Sequence, residues 1–250
     1  MKIRVLGCGG SFGSPLAWGR NGNIDINNPH NFRTRSSVLI SNNNQNILID
    51  TSPDLRDQLY KAKCTKIDAV LFTHEHSDHI SGLPDIRAMS LINNSIIPAY
   101  LPSNIKNLIS NNYKYIFEGE KDYSPFMTVN NVEEHFNIGE TKIQSFKHNH
   151  GSIDVQTYRI KNFAYSTDIK NFYENDIDKL KNLDLWIVGL LRYDPHPSHA
   201  GFEQVLDYIK YLKPKRTLFT HMTALIDQEE LLSKCPNNVE PAYDGLEINL

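Results

Sequence analysis

Three imidazoles and an aspartate carboxylate fall within six residues of this chain, at His74, His76, Asp78 and His79, directly after the apolar run 67–73. The run indicates a buried strand, and few folding requirements would place so much metal-binding capacity at its end. In extended or turning backbone, His74 and His76 would project to one side, and Asp78 and His79 would follow round the turn. One cation could bind the first pair and a second cation the other pair. Nitrogen and oxygen ligands without thiolate suit zinc, manganese or iron, and the alternative is a solvated histidine-rich turn.

The composition is that of an ordinary globular protein. Its 250 residues suffice for a large core, and we expect one domain covering residues 1–250. A formal charge of −3 gives no general attraction to nucleic acid or to an anionic membrane. No apolar run approaches the roughly 20 residues that span a bilayer. Cys8, Cys64 and Cys235 form neither a disulfide framework nor a thiolate cage, so we expect a protein of the reducing cytoplasm.

Apolar patterning and turn residues predict a layered α/β domain. Strands cluster early in the chain and then alternate with helices, which favours stacked layers of sheet and helix. Residues 14–34 have no regular pattern, and residues 103–135 are ambiguous beyond a helix at 103–112. The predicted strands are 2–6, 37–40, 46–49, 67–73, 97–101, 141–146, 157–160, 163–166, 185–188 and 216–219. The predicted helices are 54–63, 82–91, 103–112, 176–181 and 202–212.

Three further candidate ligands lie where predicted strands end. His150 follows the strand 141–146, and Asp168 and His221 come directly after two later strands. A lone histidine at the end of a strand is more often structural than functional. Together with the six-residue motif, these three residues nevertheless complete two sets of nitrogen and oxygen ligands.

The chain resembles the metallo-β-lactamase superfamily, whose hydrolase motif His-x-His-x-Asp-His is matched by His74 to His79. The likeness extends over nearly the whole chain, and the segment 195–199 is similar to the phosphoribosyl cyclic phosphate phosphodiesterase (PhnP-like) branch. The resemblance implies a four-layer αβ/βα sandwich. The segments that carry it are 48–51, 74–79, 150–151, 166–168, 195–199, 220–221 and 242–248.

The resemblance also implies a centre of two divalent ions, Zn²⁺ or Mn²⁺, that share seven ligands. Three ligands would hold each ion, and the seventh would bridge the pair. The first ion is assigned His74, His76 and His150, the second Asp78, His79 and His221, and the bridge Asp168. His148 could replace His150 by strand alternation, but the family pairs this ligand with a following glycine, as in His150-Gly151.

Two residues outside the ligand set are expected to support it. Asp50 would accept a hydrogen bond from a ligand histidine and fix its ring, although N-capping of the next helix is a comparable alternative. The predicted catalytic residues are Asp78 and His199. His199 is chosen because an imidazole near the ions could bind a phosphate oxygen or protonate a departing alkoxide. The alternative for His199 is an exposed residue that caps the helix beginning near Gly201. His196 is less suited to reach the centre.

One departure from the branch concerns an accessory zinc site. Relatives often carry three cysteines shortly after an N-terminal Trp-Gly and a histidine just past the last ligand. Here Trp18-Gly19 is followed by residues 20–25, which contain no cysteine, and Ala224 occupies the late position. Loss of all these ligands together indicates that the accessory zinc is absent. The loop 14–34 must then be held by other contacts or be mobile, and substrate identity becomes less secure because this loop would lie near the site.

The expected reaction is metal-assisted hydrolysis of a small, linear or cyclic phosphodiester. Hydroxide activated by the metal ions would attack phosphorus. A tRNA 3′-processing endonuclease would need an extended basic arm, and no such insertion is present, so nucleic acid is not expected as a partner. Thioester or lactone hydrolysis uses the same ligands and stays open. Di-iron oxidoreduction normally places a glutamate at the position of His76. A metal-binding scaffold is the non-enzyme alternative, disfavoured because structural sites are usually closed and four-coordinate.

Several properties stay open at this stage. The sequence does not choose between zinc, manganese and iron, and it does not name the physiological substrate. The oligomeric state is also open, with a homodimer as one alternative. We expect a small phosphodiester as the partner of the site and no association with membranes.

Overall fold

The computed structural model describes residues 1–17, 19 and 21–250 and contains two β-sheets with helices on their outer faces. The strands are β1 Lys2–Gly7, β2 Ser37–Asn42, β3 Gln45–Ile49, β4 Ala69–Leu71, β5 Ile97–Leu101, β6 Met127–Asn131, β7 His135–Ile138, β8 Thr141–His150, β9 Ile153–Ile160, β10 Phe163–Ser166, β11 Asn171–Phe172, β12 Leu185–Gly189, β13 Thr217–Thr220, β14 Val239–Pro241 and β15 Glu247–Asn249. The α-helices are α1 Leu55–Ala62, α2 Ser77–Ile80, α3 Ile86–Asn93, α4 Ser103–Asn112, α5 Lys114–Phe117, α6 Glu174–Ile177, α7 Phe202–Leu212 and α8 Gln228–Lys234. Within these described ranges, no helix combines the length and apolar character that a bilayer crossing requires.

Both sheets contain a run of parallel strands. The first sheet has the order β15-β1-β2-β3-β4-β5-β6, in which β3 to β6 are parallel. The second has the order β11-β8-β9-β10-β12-β13-β14, with β7 paired to β8, and its strands β10, β12, β13 and β14 are parallel. Parallel strands end at a common sheet edge, so residues that follow them gather there, which is where α/β sheets commonly place their sites.

An apolar core fills the space between the sheets. Ile3 of β1 and Tyr158 of β9 belong to one buried cluster although they come from different sheets. Successive strand residues face opposite sides, so Leu6 of β1 lies instead in a second cluster, with Leu55 of α1. On the other sheet, α7 is anchored by a fully buried Val205, in agreement with the periodicity that predicted this helix. The four-layer αβ/βα sandwich is therefore confirmed.

The predicted elements are present, with differences in their bounds. The helix predicted at 82–91 begins as a 3₁₀ turn that contains Pro84, and α3 then continues to Asn93. The strand predicted at 141–146 extends to His150, which still pairs with Ile153 of β9. His150 is consequently the last residue of a strand, where the sequence had suggested a position after it. The ambiguous region 103–135 contains α4, α5 and β6 and the first residue of β7.

A buried arginine attaches the loop 14–34 to the segment that follows β13. Arg33 is only 2% exposed. Its guanidinium donates to the carbonyl oxygen of Ile226 at 2.8 Å, to Asn31 Oδ1 at 2.9 Å and to Gln228 Oε1 at 3.3 Å. A guanidinium offers five donors in a fixed plane, so one side chain can tie several acceptors together.

Backbone contacts add to this attachment at Ala224, the position where the family resemblance would place a ligand of the accessory zinc. The carbonyl oxygen of Ala224 accepts a hydrogen bond from the amide of Asn23 at 2.8 Å. Gly22 has a φ of 62°, and a side chain there would overlap this same carbonyl group. Protein hydrogen bonds thus hold the described part of the loop without cysteines. Trp18 and Arg20, which border the missing cysteine positions, lie outside the described residues.

Candidate metal centre

Three of the predicted site residues lie just after strands, and each adopts a left-handed backbone conformation. Asp50 follows β3, Asp168 comes two residues after β10, and His221 follows β13, with φ values of 61°, 53° and 60°. Residues other than glycine seldom adopt this conformation, which costs on the order of 1 kcal/mol or more each and concentrates at functional sites. The sharp change of direction ends each strand and turns its next side chain away from the regular alternation of the sheet.

The six-residue motif connects β4 to the short helix α2. His74 is fully buried, His76 is exposed at the N-cap position of α2, and Asp78 and His79 are buried within its single turn. His74 Nε2 lies 3.0 Å from His76 Nδ1, and His79 Nε2 lies 3.3 Å from Asp78 Oδ2. The donor atoms of each pair therefore lie close enough to approach one common ion.

All seven predicted ligands converge on one cluster at the strand ends. Their donor atoms lie within 4.8 Å of one another in overlapping groups of three. The groups are His74, His76 and His150; His74, His79 and Asp168; Asp78, His79 and His221; and His150, Asp168 and His199. The first and third groups correspond to the two predicted ligand sets. Asp168 joins His74 of one set to His79 of the other, which is the place expected of a bridge.

Outer hydrogen bonds determine which ring nitrogen faces the cluster. His150 Nδ1 lies 2.7 Å from the carbonyl oxygen of Ser198, which can only accept, so this nitrogen donates. His79 Nδ1 donates in the same way to Asp50 Oδ2 at 2.7 Å. When these rings are neutral, as ligation of a cation requires, the inner Nε2 of each carries a lone pair. This arrangement of outer donor and inner lone pair is the usual one for metal-binding histidines.

Asp50 orients rings from both ligand sets. Besides His79, its carboxylate accepts from the backbone amide and from Oγ1 of Thr73, each at 2.8 Å. Thr73 Oγ1 thus has a lone pair left to accept from His74 Nδ1, which lies 2.9 Å away. The alternative of Asp50 as a helix N-cap is wrong, because Asp54 occupies that position before α1. Thr73 was missed from the sequence, although it directly precedes the motif.

Inside the cluster, lone pairs and carboxylates face one another. Asp168 Oδ2 lies 3.2 Å from His79 Nε2, and Asp168 Oδ1 lies 3.2 Å from His221 Nε2. His79 Nε2 is buried and makes no hydrogen bond to any described residue. Electron-rich atoms gathered in a buried space repel one another unless a positive charge lies among them. The residues therefore fit divalent cations, and the absence of thiolate from the cluster suits Zn²⁺ or Mn²⁺.

The pKa shifts in the cluster show the negative field of its carboxylates, which a bound cation would balance. Burial alone would lower the pKa of His79, but the carboxylates of Asp168, Asp50 and Asp78 outweigh burial and raise it well above its ordinary value. Burial would raise the pKa of Asp168, but His221 and His79 hold it well below its usual range. Carboxylates that stay ionised while buried are strong ligands for a cation.

His199 lies beside the cluster, and its ring centroid is 4.6 Å from that of His150. Its Nδ1 is 3.9 Å from Asp168 Oδ1, and the residue is 9% exposed. The alternative of an exposed helix cap is therefore wrong, and Gly201 occupies the N-cap position of α7. Burial lowers the pKa of His199 to about 3, so its imidazole is neutral at neutral pH. His196 is further out, with its ring 5.6 Å from that of His199.

Lys170 supports the turn that carries His199, and no pattern in the sequence indicated this role. Its Nζ donates to the carbonyl oxygen of His196 at 2.7 Å and lies 3.5 Å from that of His199. On the other side, His150 donates to Ser198 of the same turn. The turn is thus tied both to a predicted ligand and to a charged donor.

His148, the alternative to His150, is bound on both ring nitrogens. Its Nδ1 lies 3.0 Å from Thr157 Oγ1, and its Nε2 lies 2.8 Å from the carbonyl oxygen of Thr167. The residue is fully buried and belongs to none of the candidate metal groups. Its role is to pack and to fix neighbouring strands.

His148 is expected to make stability depend on pH. Burial lowers the pKa of its imidazole from 6.5 to about 4, so the unfolded chain binds a proton more readily than the folded chain. Its contribution to stability is complete above pH 6.5 and is lost as the pH falls toward 4. We expect the stability difference between the parent and His148→Gln to shrink by about 2 to 3 kcal/mol between pH 7 and pH 4.5 in urea unfolding. His135→Gln, an exposed control, should show a constant difference; a constant difference for His148→Gln would contradict the assignment.

The fold and the histidine–aspartate cluster together define a protein of the metallo-β-lactamase type. Residues 45–222 match the family model for the Beta-lactamase superfamily domain, and the chain belongs to this family. The family resemblance inferred from the six-residue motif is thereby confirmed.

Three known proteins are similar to this chain in sequence or in structure. A solved structure of a diphosphatase from the PhnP family is 29% identical, with a TM-score of 0.90 over 100% of this chain and 97% of that one. A protein of Porphyromonas gingivalis named octanoyltransferase is 32% identical over 99% of this chain, which spans only 51% of its length. A ribonuclease Z of Clostridium kluyveri is 29% identical over 73% of this chain and 54% of its own length. The chain therefore spans about half the length of these two curated relatives.

Proposed function

We propose that this chain hydrolyses a small phosphodiester, cyclic phosphodiesters included, at a centre of two divalent ions. The observation that carries the proposal is the cluster in which ring nitrogens of five histidines meet the carboxylates of Asp78 and Asp168. A phosphate substrate is favoured over other substrates because the likeness to the PhnP-family diphosphatase covers the whole chain.

The two ions would share the seven residues that converge at the strand ends. When bound, divalent ions supply positive charge for phosphoryl oxygens and lower the pKa of a shared water toward roughly 7. Asp50 and Thr73 would hold the rings of His79 and His74 in the orientation that ligation needs, through the hydrogen bonds described above. One ion would be held by His74, His76 and His150, the other by Asp78, His79 and His221, with Asp168 between them.

His199 would bind the phosphate group of the substrate. A neutral imidazole can donate a hydrogen bond to a phosphoryl oxygen, but it has no surplus proton for a leaving group. Since His199 lies beside Asp168 and His150 but belongs to neither predicted ligand set, we assign it phosphate binding. The turn that carries it is fixed by Lys170 and His150, which limits the loss of conformational freedom on binding.

Two other activities use the same kind of site. The similarity to ribonuclease Z keeps a tRNA 3′-processing activity as an alternative, but it covers 73% of this chain and 54% of that relative. The relative named octanoyltransferase keeps acyl thioester chemistry as a second alternative, although half of that protein lies outside the region shared with this chain. Assays with the substrate of each activity distinguish both alternatives from phosphodiester hydrolysis.

A substrate panel tests the proposal. Enzyme loaded with Zn²⁺ or with Mn²⁺ is expected to hydrolyse bis(p-nitrophenyl) phosphate and a ribose cyclic phosphate, and a chelator should remove this activity because the ions supply the activated water. Octanoyl thioester and precursor tRNA serve as the comparison substrates. Turnover of either comparison substrate without turnover of the phosphodiesters would overturn the proposal, and inactivity on all four would favour the scaffold alternative.

Three further expectations accompany this function. We propose that residues 1–250 act as one domain, that the protein works in the cytoplasm and that no membrane partner is needed. The three cysteines are unpaired, and burial raises the pKa of the Cys8 thiol, which fits a reducing compartment. A homodimer stays a prediction.

A further inference from the structure

A cavity of about 540 Å³ is lined by residues outside the metal cluster. It opens between the outer face of β1, helix α1, the segment 29–34 and the turn at 243–245. None of the seven predicted metal ligands lines it. Its volume falls within the range of about 300 to 1,000 Å³ that is typical of small-molecule sites.

Aromatic rings form one wall of this cavity. The rings of His30 and Tyr243 are stacked with centroids 4.1 Å apart and planes inclined by only 8°. Both rings line the cavity, and so does Phe32, which is 49% exposed. Parallel, partly exposed rings offer a flat apolar surface on which a planar heterocycle can stack.

Cations also line the cavity. Lys61 is exposed, and its Nζ has no hydrogen bond or ion pair within the described ranges 1–17, 19 and 21–250. Arg4 lies beside it and donates to the carbonyl oxygens of Lys61 and Ala62, which directs the guanidinium across the end of α1. Glu247 lies 2.8 Å from Arg4, but it is shared with Lys2, so two cations accompany one carboxylate.

One carboxylate, Asp244, is found among the described residues that line the cavity, and its oxygens are already used. Asp244 accepts from the backbone amides of Cys8 and Thr34 and from Thr34 Oγ1, at 3.1, 2.7 and 2.6 Å. Burial also raises its pKa, which weakens its negative charge. The cavity thus attracts anions although the whole chain carries a formal charge of −3.

We propose that this cavity binds a nucleoside monophosphate, with the base stacked on the His30–Tyr243 pair and the phosphate beside Lys61 and Arg4. A planar base and a phosphate are the two groups that aromatic rings and cations lining one cavity would recognise together. The site is independent of the proposed hydrolysis, because it shares no side chain with the metal cluster. It would act as a separate binding site on the flank of the sandwich.

Calorimetric titration tests this proposal with four probes, namely AMP, UMP, adenosine and ribose 5-phosphate. The titrations use the full chain carrying Asp168→Asn, so that neither turnover nor the metal centre contributes. The nucleotides are expected to bind with one site per chain, and adenosine and ribose 5-phosphate about tenfold or more weakly. Lys61→Ala should weaken nucleotide binding about tenfold, whereas Lys121→Ala, a distant exposed control, should leave it unchanged.

A second variant guards against loss of folding. Tyr243→Leu should bring the affinity for AMP down to that for ribose 5-phosphate, with the far-ultraviolet circular dichroism spectrum unchanged. Absence of binding by both nucleotides, equal binding of AMP and ribose 5-phosphate, or an unchanged affinity in Lys61→Ala would each overturn the proposal. Binding to the parent chain that disappears in Asp168→Asn would also overturn it, because the nucleotide would then occupy the metal centre.

Discussion

Asp168→Asn is expected to lose activity by more than the roughly 100-fold that removal of an outer hydrogen-bond partner costs at metal sites. Asp168 lies between the two ligand sets, with oxygens 3.2 Å from His79 Nε2 and from His221 Nε2. An asparagine keeps the shape but removes the charge on which both ions would depend. Asparagine also tolerates the positive φ of 53° found there, so the fold should persist. Steady-state hydrolysis of bis(p-nitrophenyl) phosphate and metal content per chain are the measurements.

The matched control for this variant is Asp154→Asn. Asp154 is a carboxylate of β9 that accepts a hydrogen bond from the exposed hydroxyl of Tyr173, and it belongs to none of the candidate metal groups. Its replacement should leave activity and metal content unchanged. Full activity of Asp168→Asn would show that the bridging position has been misassigned.

Arg33→Met is expected to destabilise the folded chain by about 3 kcal/mol or more, because several buried acceptors lose their donors together. The guanidinium is 2% exposed and donates to Ile226, Asn31 and Gln228. Methionine retains the length of the stem but none of the donors. For a chain of this size the change should lower the melting temperature by roughly 6 to 12 °C.

Arg192→Met is the control for this prediction. Arg192 also donates to two carbonyl oxygens, those of Asp194 and Pro195, but its hydrogen bonds are exposed to solvent. Water can replace these donors, so the expected loss is within about 0.5 kcal/mol. Equal melting temperatures for the two variants would show that the loop 14–34 is held by other contacts.

The motif and the fold could be predicted because each rests on local pattern. The apolar run before His74 and the periodicity of α7 are read directly from neighbouring residues, and the structure confirms both elements. The convergence of His150, Asp168 and His221 was implied by family resemblance, since no spacing in the chain brings residues so distant together. Their proximity arises from the parallel strands of the two sheets.

Other features of the site depend on contacts that the sequence does not encode locally. Thr73 links Asp50 to His74 through its hydroxyl, and Lys170 holds the turn of His199 from a different strand connection. The low pKa of His199 follows from burial, which cannot be inferred from an isolated Pro-Ser-His segment. The Arg33 network likewise needed coordinates, because its acceptors Ile226 and Gln228 lie almost two hundred residues further along the chain.

Metal stoichiometry after reconstitution tests the central claim most directly. Metal-free protein would be incubated with Zn²⁺ or Mn²⁺, separated from free ions and measured by inductively coupled plasma mass spectrometry together with phosphodiesterase activity. Seven converging ligands with inward lone pairs predict two ions per parent chain, with activity rising as the second ion binds. One ion per chain at full activity, or none at all, would contradict a two-metal centre.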